Sequence, residues 1–378
     1  MLVQKYFSRE LITNEPNQCV KLINKCSNLI KESQKPIILF GAGEVGIFFS
    51  NYFKKMDGNP EVFFCDTNKK KIGQVINDLK VISLNELKTS YRDSYIVVTS
   101  INYFNEIHEL LKENNLNQCL VSRSEDEMIG DLNCFTIFKN YSQVVYDNIQ
   151  KFKCVYEFLA DEKSRKILVD RINYCKTSNK SYLIPQQSVT PQYFDPSLIK
   201  ISKNEVFIDG GAFTGDTVEE FLKQSKGQFK QIYSFEPEQS KCKEFSEKFN
   251  EFKNIELFRC GLWSEIKRLK FNATNDGASG LNISGNIEVP VTSIDSVLNR
   301  KPVTFIKLDI EGAELEALKG AEYSIKKFRP KLAICIYHNP LDIVEIPLYI
   351  KKLYPEYKIF MRHYSDTAAE TICYAIAD

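Results

Sequence analysis

The chain has 378 residues, 43% of them apolar, with 50 Lys and Arg against 49 Asp and Glu, a formal charge of +1. That length suits two cores of ordinary domain size, and so even a balance supplies no global field to draw in nucleic acid or an acidic membrane. No stretch reaches the roughly 18 apolar residues of a membrane span, and the N-terminal MLVQKYFSRELITNEPNQ lacks a signal peptide's apolar core, so the expectation is a cytoplasmic protein.

The eleven cysteines form no C-x-x-C pair and no clustered Cys/His spacing, and Cys65, Cys260 and Cys335 sit in apolar runs. They read as reduced structural thiols. From the N-terminus, Val20, Leu22, Ile23, Leu29 and Ile30 fall at helical spacing within residues 18–34.

Residues 36–46, PIILFGAGEVG, are a strand running into G-x-G-x-x-G, with Ile47, Phe48, Phe49 and Tyr52 continuing on a helix. A second strand, EVFFCD at 61–66, ends in Asp66, twenty positions beyond Gly46, where a Rossmann unit binds a ribose. Residues 95–100, YIVVTS, predict a third strand; a helix with Ile107, Leu110 and Leu111 follows, then a fourth strand at 118–121. Residues 1–128 therefore predict a small doubly wound, Rossmann-like domain. Gly41, Gly43, Gly46 and Asp66 are its candidate nucleotide site, although Glu44 lies in the loop a diphosphate would approach. The domain resembles the nucleotide- or nucleotide-sugar-binding modules fused to sugar-modifying enzymes. It carries no hydride-transfer set, so ligand binding and a purely structural role both stay open.

Residues 129–200 read as a helical connector belonging to the catalytic half. Val144, Val145, Ile149, Phe152, Val155, Phe158 and Leu159, then Ile167, Leu168 and Ile172, keep helical spacing, with Asp161 available as a cap. The stretch ends in SYLIPQQSVTPQYFDPSLIKIS, where Tyr193, Phe194 and Asp195 either wall a ligand pocket or pack as turn and core.

Residues 201–378 open on VFIDGGAFTGDT: a buried strand, Asp209, a loop with Gly210, Gly211 and Gly215, then Asp216 starting a helix. The glycines let the backbone turn and let a ligand approach the peptide groups. Asp209 and Asp216 would repel a pyrophosphate and suit a ligand with an amine and a sulfonium. The next strand, QIYSFE, ends in Glu236, placed to accept two ribose hydroxyls. That combination favours S-adenosylmethionine.

Helices at 216–226 and 238–250 follow these strands; IELFRC at 255–260 is a third strand, and Gly261, Leu262 and Trp263 turn at the edge where an adenine would lie. Trp263 packs either on that ring or in the core. Residues 267–294 break the alternation and predict an insertion over the cleft, a lid or substrate-selecting loop, with Pro290 suited only to an edge strand and Asp276 its one obvious catalytic group. TFIKLDIEGAE at 304–314 delivers Asp309 to a strand end, with Glu311 and Glu314 opening a helix as chemical groups or caps. KLAICIYH at 331–338 ends in His338, one of three histidines; His108 reads as a bystander, and for His338 and His363 a catalytic and a hydrogen-bonding role stay open. A helix at 343–353 and strands at 357–364 and 371–377 complete the chain.

The runs VFIDGGAFTGDT, YSFEPE, CGLWSE, VPVTSIDSVL, FIKLDIEGAELEALKGA and PKLAICIYHNPLDIVEIPLYIKKLYPEYKIFMRHYS, in that order, resemble the FkbM-type S-adenosylmethionine-dependent O-methyltransferases over about half the chain. The resemblance implies an α/β fold, a class I methyltransferase domain with a reversed C-terminal hairpin. It also implies a sugar hydroxyl of a polysaccharide or glycoconjugate as acceptor. The expected cofactor-binding residues are Asp209, Gly210, Gly211, Thr214, Gly215, Asp216, Glu236, Pro237, Gly261 and Leu262; Asp309, Glu311 and His338 are expected to orient or deprotonate the acceptor. These last three could ligate a divalent metal, but their spacing is not diagnostic and no metal is expected. The competing readings are an NAD-dependent oxidoreductase or nucleotide-sugar module using the GAGEVG loop, and a scaffold with degenerate sites. Expected partners are a small-molecule or glycan acceptor, including a nucleotide sugar, and no nucleic acid; the oligomeric state stays open.

Overall fold

A computed structural model describes residues 7, 11–18, 21, 24, 28, 35–55, 60–100, 103–120, 140–272, 280–281 and 287–377, the side chains of 44, 48, 52, 271–272, 280–281 and 287 excepted. The chain divides into two compact units, one of residues 13–139 and 173–181, the other of 1–12, 140–172 and 182–378. These divisions differ from boundaries at 128 and 200, and one of them falls inside the helix Glu162–Thr177.

The smaller unit is built on β1 (Ile37–Phe40), β2 (Val62–Cys65), β3 (Val75–Ile76), β4 (Leu79–Ile82) and β5 (Tyr95–Val98), in the order β3-β4-β2-β1-β5. All pairings are parallel except β3 with β4. The continuous apolar run of β1 follows from having both faces covered. Ile37 and Leu39 join Val45, Phe49 and Phe53 of the helix Glu44–Phe53 on one face, and Ile38 and Phe40 join Phe104, Ile107 and Leu111 of the helix Phe104–Glu113 on the other. The expected strand at 118–121 is reduced, among the described residues, to a bridge between Ile96 and Cys119. Residues 18, 21, 24 and 28 are helical; Val20, Leu22, Ile23, Leu29 and Ile30 lie outside the described residues.

The larger unit has the helices Tyr141–Asp147 and Ile149–Phe158, the first part of Glu162–Thr177, and a seven-stranded sheet. Asp161 caps as expected, accepting the Ser164 N–H at 2.8 Å. The sheet's first strands are β6 (Val206–Gly210), β7 (Gln231–Phe235) and β8 (Ile255–Phe258); after an insertion come β13 (Phe305–Leu308), β14 (Lys331–Cys335), β15 (Lys358–His363) and β16 (Thr371–Ile376). The order is β15-β16-β14-β13-β6-β7-β8, with β16 antiparallel to both neighbours and the rest parallel. This is the expected class I methyltransferase sheet with its reversed hairpin. Its core is aromatic: Phe207 stacks on Phe221 at 4.7 Å and on Phe305 at 4.9 Å, and Phe194 meets all three.

The insertion forms a second sheet of β9 (Gly261–Leu262), β10 (Lys267–Asn272), β11 (Gly280–Leu281) and β12 (Ile287–Thr292), ordered β11-β10-β12-β9. Pro290 therefore sits in an inner strand, against expectation. It is tolerated because β9 pairs only with Val291 and Thr292, leaving Pro290 paired on the β10 side alone, where no second ladder needs its missing N–H. Asp276 lies outside the described residues. Among the described residues no helix is long and apolar enough to cross a membrane, and the eight described cysteines are free.

Candidate active site

The order in which strands are added to the large sheet reverses between β6 and β13: β7 and β8 continue to one side, β14 to the other. A cleft at the carboxyl ends of such strands is where open α/β sheets bind ligands. A cavity of about 280 Å³ opens there, lined by Gly211, Phe213, Asp216, Phe235, Glu236, Pro237, Glu238, Gly261, Leu262, Asp309, Ile310, Glu311 and Ala313. Eight of the expected site residues thus share one wall system. Asp209, Gly210, Thr214, Gly215 and His338 are not among the lining residues.

Gly211 has φ +73°, and a Cβ there would lie 1.8 Å from the Asp309 carbonyl oxygen. The glycine loop is thus pressed against the end of β13 and has no room for a side chain. Gly215, at φ +89°, precedes the helix Asp216–Gln224, and its α-carbon faces Phe249, 2.2 Å from an added Cβ. Gly210 is packed by Leu308 and Leu262. Gly210 and Gly215 thus shape the loop from beneath.

Asp209 requires a correction. Its side chain is fully buried and paired with Lys307 Nζ at 3.0 Å, so it faces the protein interior where an amine ligand cannot reach it. Lys307, itself 2% exposed, also donates to the carbonyls of Gly210 and Gly211 at 3.1 and 2.8 Å. Burial pushes Asp209 up to about 6 against the pull of Lys307. Burial would lower Lys307, but Asp209 and Asp309 outweigh it and keep the ammonium protonated.

Glu236 stands at the end of β7. Its two carboxylate oxygens accept the N–H groups of Phe213 at 3.0 Å and Glu238 at 2.8 Å, fixing the acid at the cavity rim. Burial raises its pKa, and those two backbone donors oppose the shift. Each oxygen keeps a further lone pair for a ligand.

Asp309 follows β13 and is held by two tyrosines. Tyr193 OH donates to Oδ2 at 2.7 Å and Tyr337 OH to Oδ1 at 3.1 Å. Gln192 Nε2 donates to Tyr193 OH at 3.0 Å and to Glu370, whose other oxygen lies 3.5 Å from Tyr337 OH. The five side chains close a ring. Burial acts to raise Asp309, but Lys307 and His338, with Tyr193, hold it below the ordinary carboxylate range.

His338, just beyond β14, is the centre of a carboxylate cluster. Nδ1 lies 3.0 Å from Glu314 Oε1, and Nε2 lies 3.5 Å from both Asp309 Oδ1 and Glu311 Oε2. Burial would lower the imidazole, but Glu314, Asp309 and Glu311 raise it to about 10. Glu311 adopts φ +55° and is pushed by burial up to about 7. The sheet thus brings Asp309, Glu311 and His338 together. Glu314, weighed as a helix cap, both accepts the Ile310 N–H at 2.8 Å and meets His338 while fully buried.

Sequence reading missed Lys307, Tyr337, Gln192 and Glu370. A lysine inside the apolar run FIKL was the available signal, since a buried ammonium needs a partner. Of the two alternatives for Trp263 the structure shows the packed one: it lies against Val289 and Val291 with Lys267 over its ring, outside the cavity lining. His363 is fully buried, its Nδ1 2.9 Å from Thr371 Oγ1, and is structural.

In the smaller unit, Gly41, Gly43 and Asp66 line a cavity of about 460 Å³ with Lys71, Thr99 and Tyr103. Gly46 does not line it; an added Cβ would lie 2.2 Å from the Gly41 oxygen and 2.8 Å from Phe64, which marks close helix–strand packing. Asp66 Oδ2 accepts the Ala42 N–H at 3.0 Å and Oδ1 that of Asn68 at 2.9 Å, while Lys71 Nζ donates to the Ala42 oxygen at 3.1 Å.

Residues 209–358, from the buried aspartate to the start of β15, match the Methyltransferase FkbM domain. That stretch is a methyltransferase domain similar to the FkbM kind. Residues 33–121 match a second family, the C2185-like N-terminal domain. The FkbM methyltransferase of Methylobacillus flagellatus KT aligns over 93% of both chains with a TM-score of 0.64 at 23% identity, so the fold is shared along nearly the whole length. An rRNA methylase of Streptococcus thermophilus aligns over 47% of this chain and 89% of its own, with a TM-score of 0.32 at 16% identity. Aeropyrum pernix fibrillarin, solved with S-adenosyl-L-methionine, aligns over 48% and 70% with a TM-score of 0.31 at 10% identity. No curated protein matches the chain.

Proposed function

We propose that this methyltransferase moves the methyl group of S-adenosylmethionine to a hydroxyl oxygen of a sugar, in a polysaccharide or glycoconjugate pathway. The observation that carries the reading is the cavity at the β6–β13 reversal, where Glu236, Asp216, Leu262 and the Asp309–Glu311 pair line one space. These groups fit the cofactor: a fixed carboxylate to accept from ribose hydroxyls, an exposed acid for an ammonium, and Leu262 and Ile310 for a flat base.

Bound there, the cofactor supplies a methyl on a sulfonium, the C–S bond breaking as the O–C bond to the acceptor forms and a neutral thioether remaining. Glu236 accepts the ribose hydroxyls. Asp216, at the exposed start of its helix, faces the amino acid moiety in place of Asp209. Asp309, fixed by Tyr193 and Tyr337 and backed by His338, orients the acceptor hydroxyl. Glu311, the cluster member that both lines the cavity and is most open to solvent, takes the hydroxyl proton. Positioning of this kind supplies much of the rate of an in-line displacement.

The cavity of the smaller unit is assigned a nucleotide or nucleotide-sugar ligand. Its support is Lys71, a cation over the glycine loop at the carboxyl ends of β1 and β5. Calorimetric titration of the full chain with S-adenosylmethionine, NAD and a uridine diphosphate sugar tests both assignments. Micromolar binding of S-adenosylmethionine, followed by transfer of labelled methyl to a sugar hydroxyl, is the expected result. Binding of NAD alone would move the reaction to the 41–46 loop and overturn the reading.

A further inference from the structure

The acceptor side of the cleft holds more negative charge than its own residues offset. Lys307 pairs directly with Asp209 and the glycine-loop carbonyls and acts on Asp309 only at longer range, while His338 is the cation placed within 3.5 Å of Asp309, Glu311 and Glu314. His338 is nine-tenths buried, and neither of its ring nitrogens has a hydrogen-bond partner; the same holds for the fully buried Glu314 Oε2. Orphaned buried polar atoms carry a cost of about 1–3 kcal/mol each. One donor atom from each of Asp309, Glu314 and His338 lies within 4.8 Å of the others.

We propose that Asp309, Glu314 and His338 hold one divalent cation. Two carboxylates and one imidazole suit a borderline-hard ion of the Mn²⁺ class rather than a thiophilic one. The inference deepens the reading of this cleft as the site of a hydroxyl acceptor and rests on it for the cation's role. Asp309 lines the cavity, so the ion bridges the buried cluster and the acceptor. It lowers the pKa of a hydroxyl oxygen it binds and fixes that oxygen before the methyl group, while Glu311 remains to take the proton.

The test is titration of the metal-stripped full chain with MnCl₂, followed by electron paramagnetic resonance of free Mn²⁺ and by thermal melting. One equivalent should bind, and the melting temperature should rise with Mn²⁺ concentration. His338→Gln and Asp309→Asn should each weaken Mn²⁺ binding at least about tenfold, and Glu220→Gln, on the outside of the Asp216–Gln224 helix, should leave it unchanged. Because Glu314 is buried, Glu314→Gln is scored only if its melting curve shows a folded chain. Absence of binding at millimolar Mn²⁺, or binding that His338→Gln and Asp309→Asn both leave intact, overturns the cation and leaves the His338 imidazolium, with Lys307 behind it, as the counter-charge. Parallel titration with S-adenosylmethionine separates the two readings: Mn²⁺ binding without cofactor binding keeps the metal site and removes the methyl-transfer assignment, and the converse removes only the metal.

Discussion

Lys307 Nζ lies 3.0 Å from Asp209 Oδ1, and strand register sets the two residues side by side on β13 and β6 with exposures of 2% and 0%. The pair joins the two strands that flank the cleft and ties the glycine loop to them. Removing one partner strands the other charge in the core. Lys307→Met should cost about 3–5 kcal/mol in urea unfolding, and Lys307→Met with Asp209→Leu should recover most of it. Equal destabilisation in the single and double variants would show that the ion pair is not what the core depends on.

Gly211 is the tightest point of the loop. Gly211→Ala combines a positive φ with a Cβ 1.8 Å from the Asp309 oxygen, so we expect loss of S-adenosylmethionine binding and a stability loss of several kcal/mol, on the order of the largest single-residue effects. Gly43→Ala, with nothing within 4 Å of the added carbon, should change the melting point little. The contrast is read from paired thermal scans.

Glu236 separates binding from folding. Loss of hydrogen bonds to a charged group costs about 1.5–3 kcal/mol, so Glu236→Ala should weaken S-adenosylmethionine roughly 10- to 150-fold by calorimetry. The backbone N–H groups of Phe213 and Glu238 can turn to water at the rim, so the stability loss should be the smaller effect. Unchanged affinity would remove the ribose assignment.

Tyr193 orders Asp309 from a loop 116 residues away in sequence. Tyr193→Phe keeps the ring in place and deletes the charged hydrogen bond to Asp309 together with the one accepted from Gln192. Turnover should fall about tenfold or more, with S-adenosylmethionine affinity nearly unchanged. A matching loss of cofactor affinity would place Tyr193 on the binding side instead.

His363 sets an acid limit on the fold. Burial, then Arg171, pushes its imidazole from 6.5 down to about 3, while Ser365 and Asp366 act the other way. The unfolded chain takes up this proton near 6.5, the folded chain only near 3. Its contribution is therefore fully present above pH 6.5 and falls between 6.5 and 3, by about 1.4 kcal/mol per pH unit. Denaturant titrations at pH 7, 6 and 5 on the parent chain and on His363→Gln should differ by that slope, since the raised carboxylates of Glu311 and Asp209, which act with the opposite sign, contribute equally to both.

The sequence alone determined both Rossmann-like sheets, because doubly covered strands read as unbroken apolar runs, as in IILF and VFI, and because glycine loops followed by helical spacing mark where they turn. It also placed Asp309, Glu311 and His338 at strand ends, and strand ends are where such sheets work. What only the tertiary structure decided was which way each acid faces. Asp209 and Asp309 look alike in sequence, each an acid closing a buried strand. Asp209 lies within β6, opposite Lys307, whereas Asp309 lies just past β13 and opens to the cavity. Register between strands some 98 residues apart made that difference, and local pattern carries no register. The ring of Gln192, Tyr193, Tyr337 and Glu370 around Asp309 is likewise long-range. Its members come from a pre-domain loop, a strand end and the C-terminal hairpin, so their meeting is a property of how the sheet is ordered and not of any one segment.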